Sequence, residues 1–356
     1  MKRKLPLIIV NALLLVAFFV CLGAYGAIRN LLRSQQAAVA WAGQSGERFA
    51  QLSAFLPDGA AFDENSIRTM RESIDTALTE ASLEEEEGRV LYADAWAALG
   101  EVSIVGSRGL ATAQAIGVGG DFFLFHPLYL RDGSYLSPND LMKDRIVLDE
   151  ELAWRLFGAV HLEGFEVTIG NKLHIIAGVV SREDDFASKK AYTGGAGVFM
   201  SYDALNELTE GNAEIFCYEL VMPDPITGFA VKSFEESFPN KDAAIVENSA
   251  RYSLISILRI IGSLGERSMR TDGIVFPYWE NAARYTEDRL ALLLVLLIVF
   301  AACPAVCGVI YGTKGIRFLI RRGKSAAKKR IEERDDREAK KYREENADEF
   351  KTLDSV

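Results

Sequence analysis

Two long stretches without a single charge lie near opposite ends of this chain, at residues 5–28 and 290–312. They are 24 and 23 residues long. About 20 apolar residues cross the hydrocarbon core of a bilayer as helix, so both runs are expected to span a membrane. Ala24 and Gly26 are small residues near the end of the first run, as a signal-peptide cleavage site requires. That run is nevertheless longer than the roughly 7–15 apolar residues of a signal peptide, and it reads as an uncleaved anchor.

The charges sort around these runs. Residues 30–288 hold 21 basic and 40 acidic side chains, a net of −19, whereas residues 1–29 and 313–356 each carry +4. Lys2, Arg3 and Lys4 precede the first run. Lys314, Arg317, Arg321, Arg322, Lys324, Lys328, Lys329 and Arg330 follow the second with no acid among them. The positive-inside rule then predicts both termini in the cytoplasm and residues 30–288 outside the plasma membrane. The basic block also suits anionic lipid headgroups. An acidic outer domain argues against nucleic acid as its ligand. Cys21, Cys303 and Cys307 fall inside the apolar runs, which leaves Cys217 alone outside and no disulfide within residues 30–288. That segment must be held by its own core, which its length can supply. Cys303 and Cys307 have no His or carboxylate nearby in sequence, so they read as packing residues rather than a metal pair.

The outer segment predicts an α+β layer in two halves. A strand at residues 49–56 ends at Pro57. Asp63 can cap a helix whose stripe is Ile67, Met70, Ile74, Ala77, Leu78 and Ala81, and a strand-like stretch follows at 89–105. The same order returns later: a strand at 215–222 stopped by Pro223, a helix capped by Thr227 with Val231, Phe234 and Phe238 on one face, and a strand from Ala244. Between the halves, residues 110–118 and 146–148 read as strands, and Asp149 caps a helix that Gly158 stops. Phe165, Val167 and Ile169 alternate, as do Leu173, Ile175, Ala177 and Val179. Parity favours a three-residue loop, Gly170 to Lys172, that sets Ile169 opposite Leu173 and leaves His174 on the polar face. Residues 254–264 are apolar with helical spacing. From Pro277 nothing but Pro304 interrupts a helical pattern through Tyr311, so a stalk about 50 Å long is expected to run into the second span. Residues 30–42 are expected to form the other stalk segment.

Three phrases resemble the MacB-like periplasmic core domain of FtsX-like ABC transporter permeases. They are GDFFLFHPLYLRDGSYL at residues 120–136, RIVLDEELAWRLFG at 145–158 and EGFEVTIGNKLHIIAGVV at 163–180. The resemblance implies a porter-like layer carrying an inserted sabre-like subdomain. It also implies a system in which a separate cytoplasmic ATPase drives the membrane helices while the outer domain contacts substrate or partners and does no chemistry. Family permeases have three spans after the outer domain and this chain has one. The expectation is therefore a shortened permease beside a full permease or a second copy, or a non-transporting sensor or scaffold.

Chemical motifs are sparse. The run GVIYGTK at 308–314 is too short between its glycines for a phosphate loop. Gly308 and Gly312 instead match the small-residue spacing that lets membrane helices approach closely. His126, His161 and His174 have no metal or triad spacing, and no nucleophile-elbow, zinc-protease or EF-hand motif is present. The acidic run Glu84 to Glu87 and the mixed-charge tail at 324–350 read as solvated segments, with ATPase contact by the tail as an alternative. The sequence thus predicts a non-enzymatic, two-span α+β membrane protein without a cofactor or metal. Its segments are 1–29 (tail and first span), 30–118 (first half of the layer), 119–212 (inserted β-rich subdomain), 213–276 (second half), 277–312 (stalk and second span) and 313–356 (charged cytoplasmic tail).

Overall fold

The computed structural model describes residues 5–83, 90–192 and 196–345. Lys2, Arg3, Lys4, the Glu84–Glu87 run and the end of the tail lie outside the described residues. The chain divides into two compact units, one of Ala24–Leu294 and one of Met1–Gly23 with Val295–Val356.

The described residues begin with helix α1 (Leu5–Arg29), in which Asn11 is the one amide side chain and Arg29 the first charge. The expected stalk segment after it is instead a single 3-10 turn (Arg33–Gln35) and the six-residue helix α2 (Ala37–Ala42). Leu32, Ala37 and Ala38 are buried, so this segment folds down onto the core instead of standing free. Strand β1 (Phe49–Phe55) follows, then α3 (Glu64–Glu80). Asp63 accepts from the Ser66 amide at 2.9 Å in a capping box, and Ile67, Met70, Ile74 and Leu78 face inward as their spacing requires. Strands β2 (Ala93–Gly106) and β3 (Gly109–Gly120) form a long hairpin.

Next come α4 (Phe122–Phe125), β4 (Tyr129–Gly133), β5 (Arg145–Asp149) and α5 (Glu150–Leu156). Asp149 accepts from the Leu152 amide at 2.7 Å, and Gly158 leaves the helix at φ +70°. Strands β6 (Glu166–Ile169) and β7 (Lys172–Ser181) turn through Gly170 and Asn171, both at positive φ (+55° and +66°). This is the two-residue primed turn, and it pairs Ile169 with Lys172, contrary to the three-residue loop that parity favours. The parity argument fails because Leu173 and Ile175 belong to the outer face of β7, 59% and 37% exposed, while His174 and Ile176 are the inward residues. Beyond Ile175, β7 is enclosed by β4 and β5 and buried on both faces, so its hydrophobic run no longer encodes a side.

The remaining elements are α6 (Phe186–Ala191), β8 (Ala196–Ser201), α7 (Tyr202–Leu208), β9 (Ile215–Pro223), α8 (Phe229–Ser237), β10 (Ala244–Glu247), α9 (Leu254–Ile260) with a 3-10 turn (Ile261–Ser263), and α10 (Tyr278–Glu345). Thr227 does not cap α8. Gly228 occupies the cap position in the left-handed region, and the Asp224 carboxylate accepts from the Ala230 amide at 3.2 Å. Thr227 instead accepts from Arg48 at 2.8 Å. Helix α10 continues through Pro304 and well into the charged tail.

Among the described residues ten strands make one sheet in the order β10-β1-β9-β2-β3-β8-β5-β7-β4, with β6 bridging β2 and β7. Strand β9 lies antiparallel between β1 and β2, so the two strand–helix–strand halves interlock as a split βαβ layer. The middle strands join through the parallel β3–β8 pair. One sheet face is largely apolar and covered by α3, α5, α7 and α8, with Leu52, Met70, Ile74, Tyr218 and Phe234 at its centre and Asp94 bound there by Arg71 and Tyr218. The other is covered by α2, α4 and the first turn of α10, where Phe49, Phe122, Phe125, Cys217 and Trp279 cluster.

Candidate functional site

Strand alternation places Gln51 and Ser53 of β1, and Glu219 of β9, on the second face of the sheet. All three are buried at 3% exposure or less, so each needs a partner. A chain of hydrogen bonds supplies them. His126, just after α4, pairs with Glu219 through Nε2, and its ring lies 4.5 Å from both Phe122 and Trp279. Ser53 donates to Glu219 at 2.7 Å, and Asn248 donates to Ser53 at 2.7 Å. Arg251 donates to Asn248 at 3.2 Å and to Gln35 at 3.1 Å. Gln51 holds the segment after α1, accepting from the Ala37 amide at 3.0 Å and donating to the Ser34 carbonyl at 2.7 Å.

Arg251 is the centre of the chain. Its guanidinium binds Glu287 through Nε at 2.7 Å and Glu280 through Nη2. Glu280 also accepts from Arg284 at 2.6 Å, and Glu287 pairs with Arg267. Glu280, Arg284 and Glu287 sit at i, i+4 and i+7 on one face of α10, two turns that end just before the apolar run at Leu290. Burial pulls the Arg251 pKa down, but Glu280 and Glu287 outweigh it and hold the pKa above its ordinary value. Burial lowers that of Arg284. The cluster has three cations and two carboxylates, and removing both carboxylates would strand the buried Arg251 charge.

Helix α6 grips the same turns of α10 from another side. Ala187, Ala191, Leu32, Ala282 and Ala283 form a small apolar cluster, and Tyr192 stacks on Tyr278 with centroids 4.3 Å apart. Tyr192 donates to Glu183, whose pKa is raised by burial. A cleft of about 800 Å³ opens beside this contact, with Trp154 and Tyr129 on its rim. Its charges are largely paired, Arg131 with Glu150 at 3.0 Å and Arg182 with Glu151 at 3.3 Å.

The residues singled out by sequence lie elsewhere. Gly308 and Gly312 are on α10, and a Cβ at either would meet nothing within 4 Å. Lys314, Arg317, Arg321, Arg322, Lys324, Lys328, Lys329 and Arg330 are all exposed on the same helix. Lys328 and Lys329 pair with Glu332 and Glu333 one turn on. In that unit Asn11 of α1 donates to Cys307 Sγ at 3.6 Å, which brings α1 and α10 side by side. His161 is exposed and lies 3.1 Å from Asp132, whereas His174 is buried on the inward face of β7, not the polar one. Sequence reasoning did not find the Arg251 cluster. Its local signal was the Glu280, Arg284, Glu287 spacing, but Arg251 lies 29 residues from Glu280 and no periodicity links them.

Comparison with known proteins supplies the family. A sequence model described as the MacB-like periplasmic core domain matches residues 7–236. The periplasmic region of MacB from Actinobacillus actinomycetemcomitans is similar at 17% identity, covering 60% of this chain and 92% of that one, with a TM-score of 0.40. The extracellular domain of the noncanonical ABC-type transporter YknZ from Gram-positive bacteria is similar at 13% identity, covering 56% and 99%, with a TM-score of 0.36. A permease-protein domain from Porphyromonas gingivalis is similar at 12% identity, covering 57% and 89%, with a TM-score of 0.31. A search of curated proteins by sequence gave no match. The match runs from the first apolar helix through the first half of the layer and the inserted strands to α8 of the second half, well over half of the chain, and on that basis the chain belongs to the MacB-like periplasmic core domain family.

Proposed function

We propose that this chain is a membrane subunit of an ABC-type export or mechanotransmission system, with no ATPase activity of its own. Residues 5–28 and 290–312 span the plasma membrane, both termini are cytoplasmic, and residues 30–288 form an extracytoplasmic head. The strands and helices of residues 119–212 serve as the inserted subdomain that faces substrate or envelope partners. A separate ATPase supplies the energy.

The observation that carries this reading is the buried Arg251 cluster. Glu280 and Glu287 belong to the turns of α10 that lead into the apolar run, and Arg251 belongs to the loop after β10. Asn248 and Ser53 extend the connection into the sheet. A charge network of this kind resists sliding, because any displacement leaves a buried ion unpaired. It suits a joint that must pass movement between a helix and a head without slipping. Gly308 and Gly312 provide an open face on α10 for a neighbouring membrane helix. The basic residues from Lys314 to Arg330 favour the anionic cytoplasmic leaflet.

Affinity purification of the tagged full chain from gently solubilised, crosslinked membranes tests the proposal. Recovery of an ABC ATPase is the expected result. Recovery of a kinase or regulator without an ATPase would instead support the sensor or scaffold reading.

A further inference from the structure

We infer that helix α9 and its following turn, Leu254–Ser263, lie flat at the outer headgroup boundary of the membrane and seat the head on lipid. This rests on the reading of residues 290–312 as a span. Leu254, Ile255 and Leu258 occupy one side of α9 and are 57%, 64% and 45% exposed. The other side packs against the protein. Ile257 is completely buried in a cluster with Tyr252, Leu290, Ala291 and Leu294, and Tyr25, Ile28, Ile260 and Ile261 pack against it. Three of those residues begin the apolar run of α10, and Tyr25 and Ile28 end the apolar run of α1. The level of α9 is therefore fixed by side-chain packing at the outer ends of both runs.

A second contact sets the same level. The Gly265 amide donates to Asp288 at 3.0 Å, one residue before Arg289, the last charge ahead of the apolar run. Leu254–Ser263 is 10 residues long, about half of what a helical span needs, so it can lie on the bilayer but not cross it. Arg259 is exposed in its last turn and suits a lipid phosphate above the apolar face. The exposed apolar side thus continues a surface that is already lipid-facing under the span reading, which favours a phospholipid bilayer as its occupant.

The test uses the full chain reconstituted into phosphatidylcholine vesicles. An environment-sensitive fluorescent amino acid replaces Ile255 or Leu258 and, as references, Leu141 on the head or Val299 within the apolar run. Lipids brominated near the headgroup are expected to quench the probe at both 255 and 258 by about twofold. The probe at 141 should be unaffected, and that at 299 should respond best to bromine deep in the acyl chains. Quenching at 299 without quenching at 255 and 258 would overturn the inference and leave the span reading intact. Probes at 255 and 258 shielded from water yet unquenched would mean that a protein covers the patch, which also overturns it. Absence of quenching at 299 would remove the span reading and this inference together.

Discussion

The two faces of the sheet both bury apolar clusters but differ in how far buried charge extends across them. The face under α3 and α8 is mainly hydrocarbon, with Leu52, Met70, Ile74, Phe234 and Phe238, and it also holds Asp94, paired with Arg71 at 2.7 Å and accepting from Tyr218 at 2.9 Å. The face toward α10 carries a buried line of polar and charged groups from His126 to Arg267. Apolar contacts are non-directional and tolerate small displacements, whereas buried ion pairs fix a register. The first face therefore holds the layer together, and the second fixes where α10 is attached.

Substitutions should separate these roles. Glu280→Gln together with Glu287→Gln leaves Arg251 buried without a carboxylate and is expected to cost about 4 kcal/mol, read as a lowered unfolding midpoint of the detergent-solubilised chain. Adding Arg251→Met to that pair should recover part of the loss, because the stranded cation is gone. Additive losses would show that the three residues do not act as one cluster. On the apolar face, Met70→Ala should cost about 3 kcal/mol through cavity formation, with no recovery from charge changes elsewhere. Asp63→Ala removes only a surface cap and should cost about 1 kcal/mol.

The smallest effect concerns Glu183. Its folded pKa is raised by burial above the ordinary 4.5, so the folded state holds its proton more tightly than the unfolded chain. Stability from this group is present at acidic pH and is lost as pH rises from about its ordinary value through the raised one. Glu183→Gln lacks that loss. The variant should gain stability relative to the parent as pH increases toward neutrality, measured as the difference in Tm across a pH series. A difference independent of pH would contradict the assignment.

The apolar face was legible in the sequence because its signals are local. Asp63 and its helical stripe, Pro57 and Pro223 as strand stops, and Asp149 before α5 each act within a few residues of themselves. Local patterning misled where the environment was not one-sided. Strand β7 is buried on both faces past Ile175, so its alternation suggested the wrong hairpin register and the wrong side for His174. Thr227 had the chemistry of a cap, but Asp224 was better placed after the turn at Gly228. The segment after α1 was expected to be a stalk, yet Gln51 and the core bind it down. The Arg251 cluster was the least legible part. His126 meets Glu219 from 93 residues away and Arg251 meets Glu287 from 36, separations set by the folded topology.

Hydrogen–deuterium exchange on the full-length chain and its Arg251→Met variant tests the attachment of α10 most directly. The account predicts faster exchange in the first turns of α10, from Tyr278 to Leu294, and around Asn248, with α3 and α8 as protected as in the parent. Unchanged protection in those turns, or an equal loss of protection across the whole head, would contradict it.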